Sequence, residues 1–388
     1  MKVLKNIVEK VKPTFDKGGR LHFLHSTFDA FETFLLVPSA TTHKGVHVRD
    51  SIDLKRTMSV VIIALIPAML FGMWNTGYQH NLSIGATSDF WPTFWFGFLK
   101  VLPLLIVSYV VGLGIEFASA QIRGHEVNEG FLVSGILIPL IMPIDVPLWI
   151  LALAVAFAVI VGKEVFGGTG MNIWNPALLA RAFVFFAYPS HITGDKVWIE
   201  GLSSGTGVID GFSGATPLAA AAEGTATPSF LDMFIGTIPG SIGETSTLAI
   251  LIGAAFLIYT GVASWKVMVS TFTGGFLIAL LFNALAPGAA DPSSYLNVPA
   301  INHMVMGGFA FGAVFMATDP VTGCQTEKGK WIYGFLIGVM AILIRVFNPG
   351  YPEGMMLSIL LLNTFAPLID HYIVQSNIKK RLSRAKNI

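Results

Sequence analysis

Charge is what this sequence has least of. Asp, Glu, Lys and Arg make up 12% of its 388 residues, hydrophobic residues 53%, and the mean hydropathy is +0.68. A soluble domain carries roughly twice that charged fraction. This composition therefore excludes a surface that faces only water. Cysteine is nearly absent too, with Cys324 alone. No intrachain disulfide can form, and no cysteine pair can hold zinc or an iron–sulfur cluster. Any electrons the chain moves must travel on an organic cofactor. The basic start, Met1-Lys2-Val3-Leu4-Lys5, lacks an apolar core with a small-residue cleavage site, so insertion by the first span without cleavage is expected.

What is present is a series of apolar runs. Spans are expected near 57–75, 93–119, 130–142, 147–165, 174–188, 246–264, 267–286, 302–318, 330–348 and 354–374. The runs at 130–142 and 174–188 are too short to cross comfortably and adjoin glycine or proline. Short or broken membrane segments survive only where protein or a cavity covers the freed backbone, and they point to binding sites. The expected fold is an all-α polytopic membrane protein of about ten transmembrane helices.

Charge placement gives its orientation. The head carries ten Lys/Arg between Lys2 and Arg56, and the tail holds Lys379, Lys380, Arg381, Arg384 and Lys386. Arg123, Lys163, Lys266, Lys328 and Lys330 fall in or beside loops on the same side, while the long loop 189–245 has only Lys196. That asymmetry puts both termini in the cytoplasm. Arg181 and Arg345 do not fit it, because both fall inside expected spans. A faint repeat links Gly130-Phe131 and Val165-Phe166 with Gly308-Phe309 and Val346-Phe347. Five spans per half implies two inverted repeats. The expected division is an interfacial N-terminal segment 1–56, a first repeat 57–188, a periplasmic loop 189–245, a second repeat 246–374 and a basic tail 375–388. Phe28, Phe31, Phe34, Leu35 and Leu36 stand near helical spacing in the first segment, for the membrane surface or for a partner subunit.

Several residue groups carry possible chemistry. Asp210-Gly211-Phe212-Ser213-Gly214-Ala215-Thr216-Pro217-Leu218 is a small-residue turn that presents a threonine hydroxyl on the long loop. Taken alone it is an ordinary polar turn. Glu116, Asp319 and Asp370 lie in or at the ends of apolar runs, where an unpaired charge costs several kcal/mol. Each is a candidate oxygen ligand for a hard cation, or a helix-end cap. Asn172 and Asn175 precede a short span and offer both donor and acceptor, or simply cap it. Glu129, Phe131, Phe183, Phe185 and Phe186 could line an apolar pocket or merely pack. Gly167-Gly168-Thr169-Gly170 lacks the phosphate-loop pattern and reads as a turn, and His22, His25, His43 and His47 read as surface residues.

These motifs carry a resemblance that runs along essentially the whole chain. His47-Val48-Arg49-Asp50-Ser51, His125-Glu126-Val127-Asn128-Glu129-Gly130-Phe131, Lys163 through Gly170, Ser213-Gly214-Ala215-Thr216, Arg345 through Met356 and Asn377-Ile378-Lys379 all bear on it. With them the chain resembles the B subunits of sodium-pumping NADH:quinone oxidoreductases. The D subunits of Rnf-type ferredoxin:NAD oxidoreductases are paralogues that share the S-G-A-T site, but the basic N-terminal extension fits the B subunits better. The stretch Ile199–Val208 looks longer than the family's usual loop.

The resemblance implies a membrane redox subunit within a six-subunit complex of the bacterial inner membrane. It implies FMN joined covalently to Thr216 as a phosphoester by a flavin transferase, with Ser213, Gly214 and Ala215 completing the motif. It implies a noncovalent riboflavin, for which Asn172 and Asn175 are the candidates, and ubiquinone as acceptor near Glu129, Phe131, Phe183 and Phe185. Outward Na+ transport is implied, with Glu116, Asp319 and Asp370 as candidates on the sodium path. NADH oxidation belongs to another subunit, since no dinucleotide fingerprint is present. Membrane lipid is an expected partner and nucleic acid is not. The residues by themselves leave a passive channel or transporter open.

Overall fold

The structure is a computed structural model. It describes residues 2–15, 19, 21, 25, 27–28, 32, 36, 42, 44–46, 48, 54–87, 89–123, 130–203, 205, 209, 212–225, 227–286, 295–348 and 353–386. Glu129 of the expected quinone pocket, Phe31, Phe34 and Leu35 of the N-terminal segment, and His22, His43 and His47 lie outside the described residues.

Among the described residues the regular structure is helical throughout. A short amphipathic helix, α1 (Lys2–Val11), precedes the apolar elements. These begin with α2 (Leu54–Ser83), α3 (Phe90–Arg123), α4 (Phe131–Leu140), α5 (Leu148–Gly162) and α6 (Pro176–Ala187). Two small helices, α7 (Pro217–Ala222) and α8 (Phe230–Ile235), stand in the long loop. Next come α9 (Thr247–Tyr259), α10 (Trp265–Leu285), α11 (Ala300–Val305), α12 (Phe309–Phe311), α13 (Glu327–Phe347) and α14 (Met355–Lys386). Six helical stretches are long and apolar enough to cross a membrane: Leu54–Ser83, Phe90–Arg123, Leu148–Phe166, Trp265–Leu285, Glu327–Phe347 and Met355–Ala385. Their outward faces expose Leu99, Ile106, Val110, Leu277 and Leu281, as lipid-facing surfaces require. The protein is a multi-pass membrane protein.

Shortness proves more widespread than the apolar runs suggest. Besides α4 and α6, the stretch expected at 246–264 keeps only 13 helical residues. The run expected at 302–318 is broken into α11, α12 and a π-helical turn, Gly312–Met316. The break falls where Met306 is extended (φ −88°, ψ 135°) and Gly307 takes φ +60°, a conformation that favours glycine.

Packing follows two similar chains of contact. α3 packs on α2, α4 and α5, and α5 packs on α6; α10 packs on α11 and α13, and α13 packs on α14. The two groups meet where α2 lies on α9 and α6 on α14. Small residues let backbones approach, since lipid supplies no hydrophobic drive between helices. A Cβ on Gly338 would lie 2.1 Å from the Thr271 carbonyl oxygen, and one on Gly274 would lie 2.3 Å from that of Phe335.

Candidate functional site

Among the described residues, two of the cavities lie where these groups meet. The one beside the long loop 189–245, named the outer cavity for that loop's expected side, has a volume of about 380 Å3, within the range of small-molecule pockets, and Thr216 stands on its wall. Thr216 caps α7: its Oγ1 accepts from the Ala219 amide at 3.2 Å, and Pro217 fills the first helical position. The hydroxyl keeps its own proton for another partner and stays half-buried at the rim.

The motif's small residues have a structural reason as well. Gly214 is buried, and a Cβ there would sit 2.3 Å from the Asp195 carbonyl oxygen and 2.5 Å from a Leu202 methyl. Ser213 is exposed and its Oγ accepts from the Ala215 amide at 3.3 Å. The loop thus leans on its neighbours instead of hanging free. Its helix α7 is anchored below, where the Tyr295 hydroxyl donates to the Leu218 carbonyl and Leu218 packs with Met233, Val305 and Met306.

Aromatic and aliphatic side chains form the cavity walls, among them Phe185, Trp198, Leu218 and Ile238. Its base is charged. Arg181 Nη1 donates to the Ile141 carbonyl at 2.5 Å, to Glu244 Oε2 at 3.0 Å and to Ser241 Oγ at 3.3 Å. Its Nη2 lies 3.9 Å from Glu353 Oε2, and Glu353 Oε1 accepts from the Gly308 amide at 2.8 Å. Among the described residues, Glu244 Oε1 and Thr245 Oγ1 are buried with no hydrogen-bond partner. Glu244 belongs to the loop ahead of α9, and burial pushes its carboxyl up against the pull of Arg181. In the loop between α4 and α5, burial likewise raises Asp145, which accepts from Ser203.

The inner cavity, about 110 Å3, gathers Asn172, Asn175, Asp319 and Lys163. Asn175 caps α6, accepting from the amides of Ala177 at 2.9 Å and Leu178 at 3.4 Å, and donates through Nδ2 to Asp319 Oδ2 at 3.3 Å. Asn172 donates to the Trp174 carbonyl at 3.0 Å. Asp319 also accepts from the Val321 amide and the Thr322 hydroxyl, each at 3.0 Å. The asparagines and Asp319, expected for different tasks, therefore share one cavity.

The other candidates are scattered. Glu116 is buried in an ion pair with Lys163. Asp370 takes the amides of Gln325 (2.7 Å) and Thr326 (3.1 Å) and the Thr326 hydroxyl (2.5 Å), tying α14 to the start of α13. Phe131 is fully buried against Tyr109, and a Cβ on Gly112 would strike its ring. Phe183 stacks on Phe157 at 4.7 Å, Phe185 lines the outer cavity and Phe186 is exposed. Phe131, Phe183 and Phe185 have different immediate neighbours among the described residues. Arg181, Glu244, Glu353 and Lys163 are among the polar residues at these cavities that the sequence did not mark as site residues, with Asp195, Glu223 and Thr245 beside them in the outer one. A signal exists for one of them, because Arg181 is, with Arg345, one of the two charges that violate the loop pattern.

Comparison with known proteins agrees with this architecture. Residues 41–379 match the NQR2, RnfD, RnfE family. The B subunit of the Na(+)-translocating NADH-quinone reductase of Chromohalobacter salexigens is 46% identical over 407 residues, covering 98% of this chain and 96% of that protein. The B subunits of the same reductase from Stutzerimonas stutzeri and Pseudomonas aeruginosa are each 46% identical over 410 residues, covering 98% of this chain and 99% of theirs. A match that takes in the spans, the long loop and the cavities described above leaves one conclusion: the chain belongs to the NQR2, RnfD, RnfE family.

Proposed function

We propose that this chain is the B subunit of a Na+-translocating NADH:quinone oxidoreductase and carries FMN covalently on Thr216. The carrying observation is the placement of the Thr216 hydroxyl. It stands half-buried on the wall of a cavity of about 380 Å3, in a turn whose glycine is required by the Asp195 backbone. The residues fit a flavin. The apolar walls suit its ring system, and the unpartnered oxygens of Glu244 and Thr245 suit its hydrogen-bonding edge. When bound, the flavin supplies one- and two-electron redox chemistry that no side chain offers. The protein's part is to hold it at the outer face, wall it from water and fix the charges beside it.

Asn172 and Asn175 are the residues proposed to contact riboflavin, and the cavity they line, about 110 Å3, is smaller than the roughly 300 Å3 such a ligand needs, so the ring system would extend beyond it. Ubiquinone accepts the electrons near Phe131, Phe183, Phe185 and Glu129, and Na+ leaves the cell by a path that uses Glu116, Asp319 and Asp370. The ten-segment plan with two inverted five-segment repeats, divided as 57–188 and 246–374 with both termini cytoplasmic, is part of the same reading. The parallel packing of α3–α5–α6 and α10–α13–α14 supports it. The segment 1–56 and the tail 375–388 then lie on the inner side and the loop 189–245 on the outer. Six subunits, a flavin transferase and membrane lipid complete the assembly.

The test is attachment after denaturation. The chain is expressed with and without a flavin transferase, beside Thr216→Ala, and examined for flavin fluorescence in a denaturing gel. Fluorescence that needs both the transferase and Thr216 is expected. A dark wild-type band with active transferase present would overturn the reading.

A further inference from the structure

The base of the outer cavity holds charges that the attachment of a cofactor to Thr216 does not require. Arg181, Glu244 and Glu353 come from three separate places: the middle of α6, the loop before α9 and the loop before α14. All three line the cavity that Thr216 lines. Burying three ionisable side chains costs free energy, and hydrophobic replacements of the same volume are often no worse for stability. A purely structural account therefore leaves the arrangement unexplained.

The geometry says more. Glu244 uses one carboxylate oxygen on Arg181 at 3.0 Å, and its second oxygen, near the Ser241 hydroxyl, is buried without a hydrogen-bond partner among the described residues. The neighbouring Thr245 hydroxyl is likewise unpartnered. Glu244 is 4% exposed and Thr245 3%. Buried polar atoms left unsatisfied in a cavity wall call for a partner, and a ligand in that cavity is one that can supply the missing bonds. Glu353 approaches the same guanidinium from the other side at 3.9 Å and is itself held by the Gly308 amide. The two carboxylates thus fix one cation at the cavity base.

We propose that Arg181, Glu244 and Glu353 are positioning residues that set the reduction potential of the flavin carried on Thr216. This inference rests on the flavin reading above. Reduction adds electrons to the ring, and a fixed charge inside a water-excluded cavity acts on them with little screening. Arg181 favours the reduced form. Glu244 and Glu353 oppose it and hold the guanidinium in place.

The experiment is a spectroelectrochemical titration of the purified complex. The flavin of interest is the component that Thr216→Ala lacks. Glu244→Gln keeps the side chain's shape and removes its charge, so the midpoint of that component is expected to rise while covalent fluorescence is retained. Glu353→Gln is expected to raise it by a smaller step, in keeping with its longer distance, and it stands in if Glu244→Gln does not assemble. Asp145→Asn removes a carboxylate that does not line the cavity and is expected to leave the midpoint where it is. A dark wild-type band on the denaturing gel overturns the Thr216 reading and this inference with it. A fluorescent chain whose midpoint ignores the charge removals overturns this inference alone.

Discussion

Arg345 holds open the break in the helix that carries His303. Its Nη1 donates to the His303 carbonyl at 2.8 Å and its Nη2 to the Met306 carbonyl at 3.1 Å, with the guanidinium wholly buried. These are carbonyls freed where α11 ends and the chain turns at Gly307. A planar fork satisfies both at once, which a lysine ammonium matches poorly. Each buried carbonyl left unpaired costs about 1–3 kcal/mol. Arg345→Met is therefore expected to destabilise the protein by about 2–5 kcal/mol, and Arg345→Lys by less. Thermal unfolding of the detergent-solubilised protein reads both.

The flavin motif makes a sharper prediction at its glycine than at its serine. Gly214→Ala places a methyl against the Asp195 carbonyl, which is backbone and cannot swing away, and against a Leu202 methyl, which can. The turn must move, and Thr216 with it. Covalent loading is expected to fall several-fold in Gly214→Ala although the threonine remains. Ser213→Ala loses one long bond on an exposed residue and is expected to load nearly as wild type. In-gel fluorescence normalised to protein compares the two.

Cys324 is the only thiol, and it is buried with its Sγ donating to the Ala366 carbonyl at 3.4 Å. It belongs to the turn between the π-helical segment and α13. Burial, with the Asp370 carboxylate nearby, pushes the thiol up to about 12. A raised pKa keeps the neutral form, and the thiolate is the reactive one. Maleimide labelling of the native protein is expected to stay negligible from pH 6 to 9 and to become complete on denaturation. Rapid native labelling at pH 8 would contradict this packing of the turn.

The sequence shows the membrane helices well and the machinery between them poorly, for a physical reason. α2, α3, α10 and α13 announce themselves because lipid contact demands a long apolar run, and a run is visible locally. The break at Met306–Gly307 is invisible in the same way: Met304 through Met316 reads as one apolar stretch, and only the Arg345 fork and Gly307 interrupt it. Arg345 and Arg181 stand out as charges in the wrong place, and both prove to be buried among carbonyls and carboxylates. Their partners are not legible, because Glu244 lies 63 residues from Arg181. The separate surroundings of Phe131 and Phe183 are equally hidden, since composition cannot tell a ring packed on Gly112 from one stacked on Phe157.

The pair of Glu116 and Lys163 separates a structural role from a functional one. Their side chains are 4% and 5% exposed, and Glu116 Oε2 has no hydrogen-bond partner. Removing one member of a buried pair strands the other and costs about 3–5 kcal/mol, whereas replacing both with apolar groups is often neutral. Lys163→Met is therefore expected to lower the unfolding midpoint sharply, and Glu116→Met/Lys163→Met to restore most of it. The double variant then decides what the carboxylate is for. With Glu116 on the sodium path, the restored protein still needs more Na+ for quinone reduction, by roughly tenfold for each 1.4 kcal/mol of lost ion binding. That outcome is expected. With Glu116 serving only to neutralise Lys163, stability and sodium response return together, and the carboxylate leaves the sodium path.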